Sequence, residues 1–285
     1  MTDEIPLLPV WSNVKASYRL AWENRGEYFK IARWWALVMI PVEYVQCSMV
    51  KRIRDDILLH TQDSAQMFSD LTHSTLLVFP ISILIFLLCA PIAVAWHRLI
   101  LRGEKVTVTH YLRFDHVVLS YFMIVLLLRV AAFIPSMLQI QMMNHPEDFP
   151  KSLALLCIIL YIATLLFAVR VSIILPAKAL QIPVTIKQGW QRTSWNFWRI
   201  TWGSFLCAVP MFIVFALIEI IGMFIVGIFG GVLLVLAGGK PHLNEALQSF
   251  LGALNATALI IVALPVGLTF LSLSYRHFFE EHQPL

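Results

Sequence analysis

The sequence predicts an all-α integral membrane protein with about six transmembrane helices, arranged as three hairpins with interfacial amphipathic helices. Three observations carry that reading. The chain is 59% hydrophobic and only 13% charged, far from the balance of a soluble domain. Long apolar runs lie at 34–50, 75–96, 116–138, 152–175, 200–238 and 249–273. Lysine and arginine fall in alternate gaps between them. If each run crosses once from a cytoplasmic N-terminus, Lys15, Arg19, Arg25, Lys30, Arg33, Arg98, Arg102, Lys105, Arg113, Lys178, Lys187, Arg192, Arg199 and Arg276 lie inside. Only Lys51, Arg52, Arg54, Lys151 and Lys240 lie outside. That is the cationic bias of a bacterial inner (cytoplasmic) membrane protein. The tryptophans agree, since all of them fall at or near the inferred cytoplasmic interface, where an indole ring keeps its N–H wet.

The chain divides into a cytoplasmic N-terminal segment with an interfacial helix at 1–33, a polytopic transmembrane domain at 34–273 and a short tail at 274–285. Residues 1–30 are polar and charged, without the apolar core of a signal peptide, so the first span is expected to remain as an anchor. That span is the weakest, because it carries Pro41 and Glu43, and a bend is expected at the proline. Runs 75–96, 116–138, 152–175 and 249–273 meet the length of roughly 20 apolar residues that one crossing needs. The run at 200–238 is long for one crossing and barely long enough for two. One tilted crossing followed by a glycine-rich segment (Gly222, Gly227, Gly230, Gly231) is the preferred reading, re-entrant or a helix extension. A turn near Glu219–Gly222 would instead give seven spans and an outer C-terminus. Outer segments 51–74, 139–151 and 239–248 read as short polar loops.

A polar–aromatic segment precedes each odd-numbered span. In 12–33, Ser12 is a candidate N-cap, with Val14, Tyr18, Ala21 and Trp22 on one face. Residues 106–115 read Val106-Thr107-Val108, then Tyr111 and Arg113, and residues 184–199 read Val184-Thr185-Ile186, then Trp190 and Arg192. Thr185 and Gln188 have capping-box spacing, and Ile186, Trp190, Thr193 and Phe197 form a stripe suited to a helix lying in the interface. The repeated unit is an interfacial helix feeding a transmembrane hairpin.

Intramembrane charge is costly and marks a functional hypothesis. Glu43, Arg129, Arg170 and Glu219 form the candidate intramembrane polar network. Counted from the cytoplasmic end, they lie about 16, 20, 8 and 29 Å deep respectively at the rise of an α-helix. Arg170 can snorkel to the inner headgroups. Arg129 cannot do so easily, and Glu43, nearest in depth, is its expected partner. The candidate headgroup contacts are Trp96, His97, Arg98, Glu104, Trp190, Arg192, Trp198 and Arg199. His97, Glu104, His110, Asp115 and His116 cluster in the second cytoplasmic loop, but without HExxH or converging spacing they read as solvated interfacial residues rather than a metal site. His60, Asp63, Asp70 and His73 are a weaker set still. Cys47, Cys89, Cys157 and Cys207 lie in apolar runs without a CxxC pair and read as small buried hydrophobes. The chain carries no GxSxG, GxxxxGK[ST] or GxGxxG motif, so no cofactor and no catalytic residue is predicted. Anionic headgroups account for the basic excess, and nucleic acid is not required.

Two stretches resemble a known group. One reads Ala93-Val94-Ala95-Trp96-His97-Arg98-Leu99-Ile100-Leu101-Arg102-Gly103-Glu104. The other starts at Arg170, runs through Leu175-Pro176-Ala177-Lys178-Ala179, and continues into Gly189-Trp190-Gln191-Arg192-Thr193 and Asn196-Phe197-Trp198-Arg199. Together they resemble uncharacterised bacterial polytopic inner-membrane proteins, a group similar to the membrane domain fused to some glycerophosphodiester phosphodiesterases. The likeness spans about residues 90–200 in motif and the whole chain in layout. Trp195 departs from it, standing where that pattern calls for glycine. The resemblance implies a membrane fold; the catalytic domain has no counterpart in this chain, so that hydrolysis is not implied. Three function classes follow in order: a non-enzymatic membrane-organising or accessory protein, a transporter or channel using Glu43, Arg129 and Glu219, and a membrane-embedded lipid-processing enzyme using the His97–Glu104 region.

Overall fold

The computed structural model describes residues 7–59, 64–105, 114–144, 151–236 and 241–280. Among them the regular structure is helical throughout. In chain order the helices are α1 (Val10–Glu23), α2 (Arg25–Leu59), α3 (Ser64–Arg102), α4 (His116–Asn144), α5 (Lys151–Ser172), α6 (Leu175–Ala179), α7 (Ile186–Thr193), α8 (Phe197–Leu236) and α9 (Pro241–Phe279). Among the described residues five helices are long and apolar enough to cross a membrane, over Leu76–Arg102, His116–Gln139, Ser152–Ala179, Phe197–Ile218 and Ala246–Phe279. The first predicted span, on α2, is not among them. Its apolar course is broken by Pro41, Glu43 and Gln46.

The ambiguous run at 200–238 is one continuous helix of 40 residues, α8. At the α-helical rise it is about 60 Å long, twice a hydrocarbon core of about 30 Å. Nothing turns at Glu219–Gly222, and the glycine-rich segment through Leu236 is a helix extension, not a re-entrant loop. Segment 51–74 is not the loop its polarity suggested. Helix α2 continues to Leu59 and α3 begins at Ser64. Lys51, Arg52, Arg54, Leu58, Leu59, Ala65, Gln66, Met67 and Leu71 are good helix formers, and polarity alone does not end a helix.

α9 is the hub, packing on α1, α2, α3, α6 and α8. α4 packs on α3, α5 and α6. Prolines sit inside α2, α3, α4, α8 and α9, a frequency that membrane helices tolerate because neighbours re-satisfy the freed carbonyls. Along α5, Leu155, Leu156, Ile158, Ile159, Ile162 and Leu165 are all exposed. So much bare aliphatic surface fits a hydrocarbon surround and not water.

The core concentrates at one end of the bundle. There the start of α2 meets the end of α3, with the Tyr28 and Trp96 rings edge-to-face at 5.0 Å. The end of α9 joins them through Trp96 Nε1–H, which donates to Thr269 Oγ1 at 2.9 Å. Short α6 is wedged beneath, with Leu175, Pro176, Ala177 and Ala179 buried against α3, α4 and α9. α1 does not begin at Ser12. It begins at Val10, with Pro9 at the N-cap and no side-chain cap. Its buried face is Val14, Ser17 and Ala21, while Trp22 points outward.

Candidate functional site

The polar end of the bundle is held by arginines that reach helix C-termini. The last carbonyls of a helix lack intrahelical partners and attract cations. Arg98 Nε–H donates to the Ala179 carbonyl at 2.8 Å and Arg102 Nη2 to that of Leu180 at 3.0 Å, closing α6. Arg276 Nη2 donates to the Ile100 carbonyl at 2.9 Å, closing α3. Arg192 Nη1 donates to the Phe278 carbonyl at 3.3 Å, closing α9. Arg199 Nη1 donates to the Leu8 carbonyl at 3.0 Å, and the Leu8 N–H donates to Asn196 Oδ1 at 2.7 Å. These bonds anchor the segment before α1 on the turn before α8. Tyr18 adds another tie, its hydroxyl donating to the Cys207 carbonyl at 2.8 Å. Burial, with the Cys207 side chain adding to it, pushes the Tyr18 phenol up, so it stays a donor.

Several predicted headgroup contacts are therefore structural. Trp96 and His97 are fully buried, which corrects their placement at the surface. Their ring N–H groups find partners on α9 instead of water. His97 Nδ1 lies 2.7 Å from Ser272 Oγ and Nε2 lies 3.3 Å from the Tyr121 hydroxyl. Ser272 in turn donates to the Leu268 carbonyl at 2.9 Å. With its one proton used there, Ser272 accepts from His97 Nδ1–H, and Nε2 accepts from Tyr121. A neutral histidine satisfies every bond in this chain. Glu104 is exposed and lies 3.6 Å from Arg102.

Outside this core the end is aromatic and cationic. Seven of the nine tryptophans are exposed: Trp11, Trp22, Trp34, Trp190, Trp195, Trp198 and Trp202. Cations stack on several of them: Lys15 on Trp11 at 5.3 Å, Arg25 on Trp22 at 4.5 Å and Arg33 on Trp34 at 5.4 Å. Arg170 lies 4.1 Å from the Trp190 ring and 5.3 Å from that of Phe197, a cation held between aromatic faces. α7 forms as its spacing predicts. Thr185 accepts from the Gln188 N–H, and the Gln188 side chain accepts from the Thr185 N–H. It docks through Gly189, where a Cβ would come within 2.8 Å of Ile174. Of the second polar–aromatic segment, 106–115, residues 106–113 with His110 and Arg113 lie outside the described residues, as do His60, Asp63 and Lys240.

The expected Arg129–Glu43 pair does not form. The Arg129 guanidinium is exposed beside the Phe86 ring, 5.4 Å from its centroid. Helix α2 packs on α9 and α3, whereas α4 packs on α3, α5 and α6. Shared depth brought the two residues to one level but not to one interface. Glu43 is 4% exposed and has no hydrogen-bond or ion-pair partner among the described residues. The Glu219 backbone belongs to α8, and its side chain lies outside the described ones. On α2 and α9 the sequence reading missed two amides. Gln46 Oε1 and Asn255 Oδ1 are enclosed without a hydrogen-bond donor. Their signal was available, since each is a polar residue inside an apolar run. No trio of His, Cys, Asp or Glu is close enough to share a metal among the described residues.

No protein-family model, curated protein or solved structure matches the chain.

Proposed function

We propose that this chain is a multi-pass protein of the bacterial inner membrane, crossing six times as three hairpins with its N-terminus in the cytoplasm. Its role is non-enzymatic, organising or assisting partners at an anionic, headgroup-bearing surface. The observation that carries the reading is the set of seven exposed tryptophans on and beside α1, the start of α2, α7 and the start of α8. Cations from α1 and α2 stack on three of them, and the arginine caps fix the helix ends nearby. Indole rings and cations together match a headgroup zone with anionic lipid. The resemblance to polytopic inner-membrane proteins agrees with this role and adds no activity to it. His97 speaks against a lipid-processing centre, because it is packed shut among Ser272 and Tyr121. A transporter is the second reading, favoured by one observation, the unpartnered carboxyl of Glu43.

The test uses the full chain in nanodiscs. Lipids brominated just below the headgroup should quench tryptophan fluorescence strongly, and lipids brominated near the chain end should quench it weakly. Anionic lipid should co-purify, and Lys15→Gln with Arg25→Gln and Arg33→Gln should reduce it. Equal quenching at both depths, with no anionic lipid retained, would overturn the reading. Crosslinking and pulldown from native membrane, with lipid analysis of the same sample, identifies partners.

A further inference from the structure

We propose that Glu43 anchors a binding site for one sodium ion, completed by the amide oxygens of Gln46 and Asn255. The site goes beyond the headgroup role and does not depend on it.

Glu43 is the starting point. A carboxylate so deeply enclosed, without a counter-charge, is expensive unless a cation joins it. The nearby protein cations are engaged elsewhere. Arg129 lies over Phe86. Lys51, two turns along α2, donates to Gln248 Oε1 at 3.1 Å in an exposed position.

The helix register brings amide oxygens to the same level. Gln46 follows Glu43 by three residues, which places both on one side of α2. α9 runs antiparallel to α2. Lys51 meets Gln248, and a Cβ at Gly252 would lie 3.4 Å from Cys47 Sγ. Continuing that register by one turn sets Asn255 opposite Glu43. Gln46 Oε1 and Asn255 Oδ1 are enclosed acceptors with no donor.

The ligand chemistry selects the ion. A carboxylate and amide carbonyls are hard oxygen donors, suited to hard cations. One negative charge balances one positive charge, so a divalent ion would leave excess charge in a poorly solvated place. Protonating Glu43 would supply a single O–H, which can serve one of the two orphaned amide oxygens but not both. A sodium ion can contact both amide oxygens and the carboxylate together.

Dicyclohexylcarbodiimide, an apolar reagent for protonated buried carboxyls, reads this site on the unaltered full chain in detergent. Peptide mapping reports the adduct at Glu43. In choline chloride Glu43 should be labelled. Replacing choline by sodium at constant pH and ionic strength should slow that labelling about tenfold at ten times Kd, as mass action requires. Asn255→Ala should raise the protecting sodium concentration roughly tenfold or more, the usual effect of losing a group that supports an ion. Should that variant fail to fold, protection of the unaltered chain decides alone. Labelling of Glu43 at one rate in sodium and choline overturns the proposal, whether or not acid alters the rate. So does the absence of labelling at Glu43 in choline. Tryptophan quenching by brominated lipid does not depend on this site, so failure here and failure of the headgroup reading are separable.

Discussion

Gly203 shows how little room single residues have in the α8–α9 contact. A Cβ at that position would overlap the Phe270 ring, and Phe270 is itself buried. Gly203→Ala must therefore push a large ring out of its slot, a loss of about 1–3 kcal/mol by overpacking. Thermal unfolding in detergent should show it, and Phe270→Leu in the same chain should recover part of the loss. A Gly203→Ala protein as stable as the parent would mean the two helices are not this close. Glu43 and Arg129 make the opposite case. Depth along a span suggested a pair, but depth fixes only one coordinate. The other is rotation about the helix axis, and an isolated sequence states it poorly when apolar residues surround every face. Since the two residues sit in different interfaces, the effects of Glu43→Leu and Arg129→Leu on unfolding should add within about 0.3–0.5 kcal/mol. A double change clearly milder than the sum would restore the pair.

Helix ends carry much of the structure's local information. Gly103 stops α3 at φ 65°, its N–H donating to the Leu99 carbonyl at 2.9 Å. α6 ends the same way without a glycine. Ile182 N–H donates to the Ala177 carbonyl and Gln181 N–H to that of Lys178, at 2.9 and 3.1 Å. That is the Schellman pattern, with Gln181 in the left-handed position at φ 60°. A left-handed residue with a side chain costs roughly 1–2 kcal/mol, whereas glycine's extra freedom in the unfolded chain costs roughly 0.5–1 kcal/mol. Gln181→Gly should then raise detergent stability slightly, and Gln181→Val should lower it. The reverse order in a melting series would contradict this geometry. The capping box at Thr185 and Gln188 was legible because both partners lie within one turn. The extensions of α2 to Leu59 and of α3 back to Ser64 were not, because a polar stretch reads alike as loop or as helix leaving the membrane. The arginine caps were hidden for a different reason. Arg276 and Ile100, or Arg192 and Phe278, meet only after folding, so their sequence signature is merely basic residues near span ends, which also predicts lipid contact.

At the scale of the whole molecule, composition and charge alternation were enough for an all-helical membrane chain, but the sidedness rests on an inference from cations and tryptophans. The fold gives that inference a sharper form. The start of α2, the ends of α3 and α9 and the start of α8 share one end, joined through Tyr28–Trp96, Arg276–Ile100, Arg192–Phe278 and Arg199–Leu8. Whatever side holds α1 therefore also holds the end of α9. Cations are concentrated in the segments at that end, so the proposed topology, by the positive-inside bias, puts it in the cytoplasm. A fluorescent protein fused after Leu285 should be bright, and an alkaline phosphatase fused there inactive, because that enzyme needs the oxidising side to form its disulfides. A phosphatase fused between α2 and α3 should be active. Active phosphatase after Leu285 combined with inactive phosphatase between α2 and α3 would invert the molecule and put the exposed tryptophans outside. Activity at both sites would instead mean that α2 does not cross, and would overturn the six-span proposal.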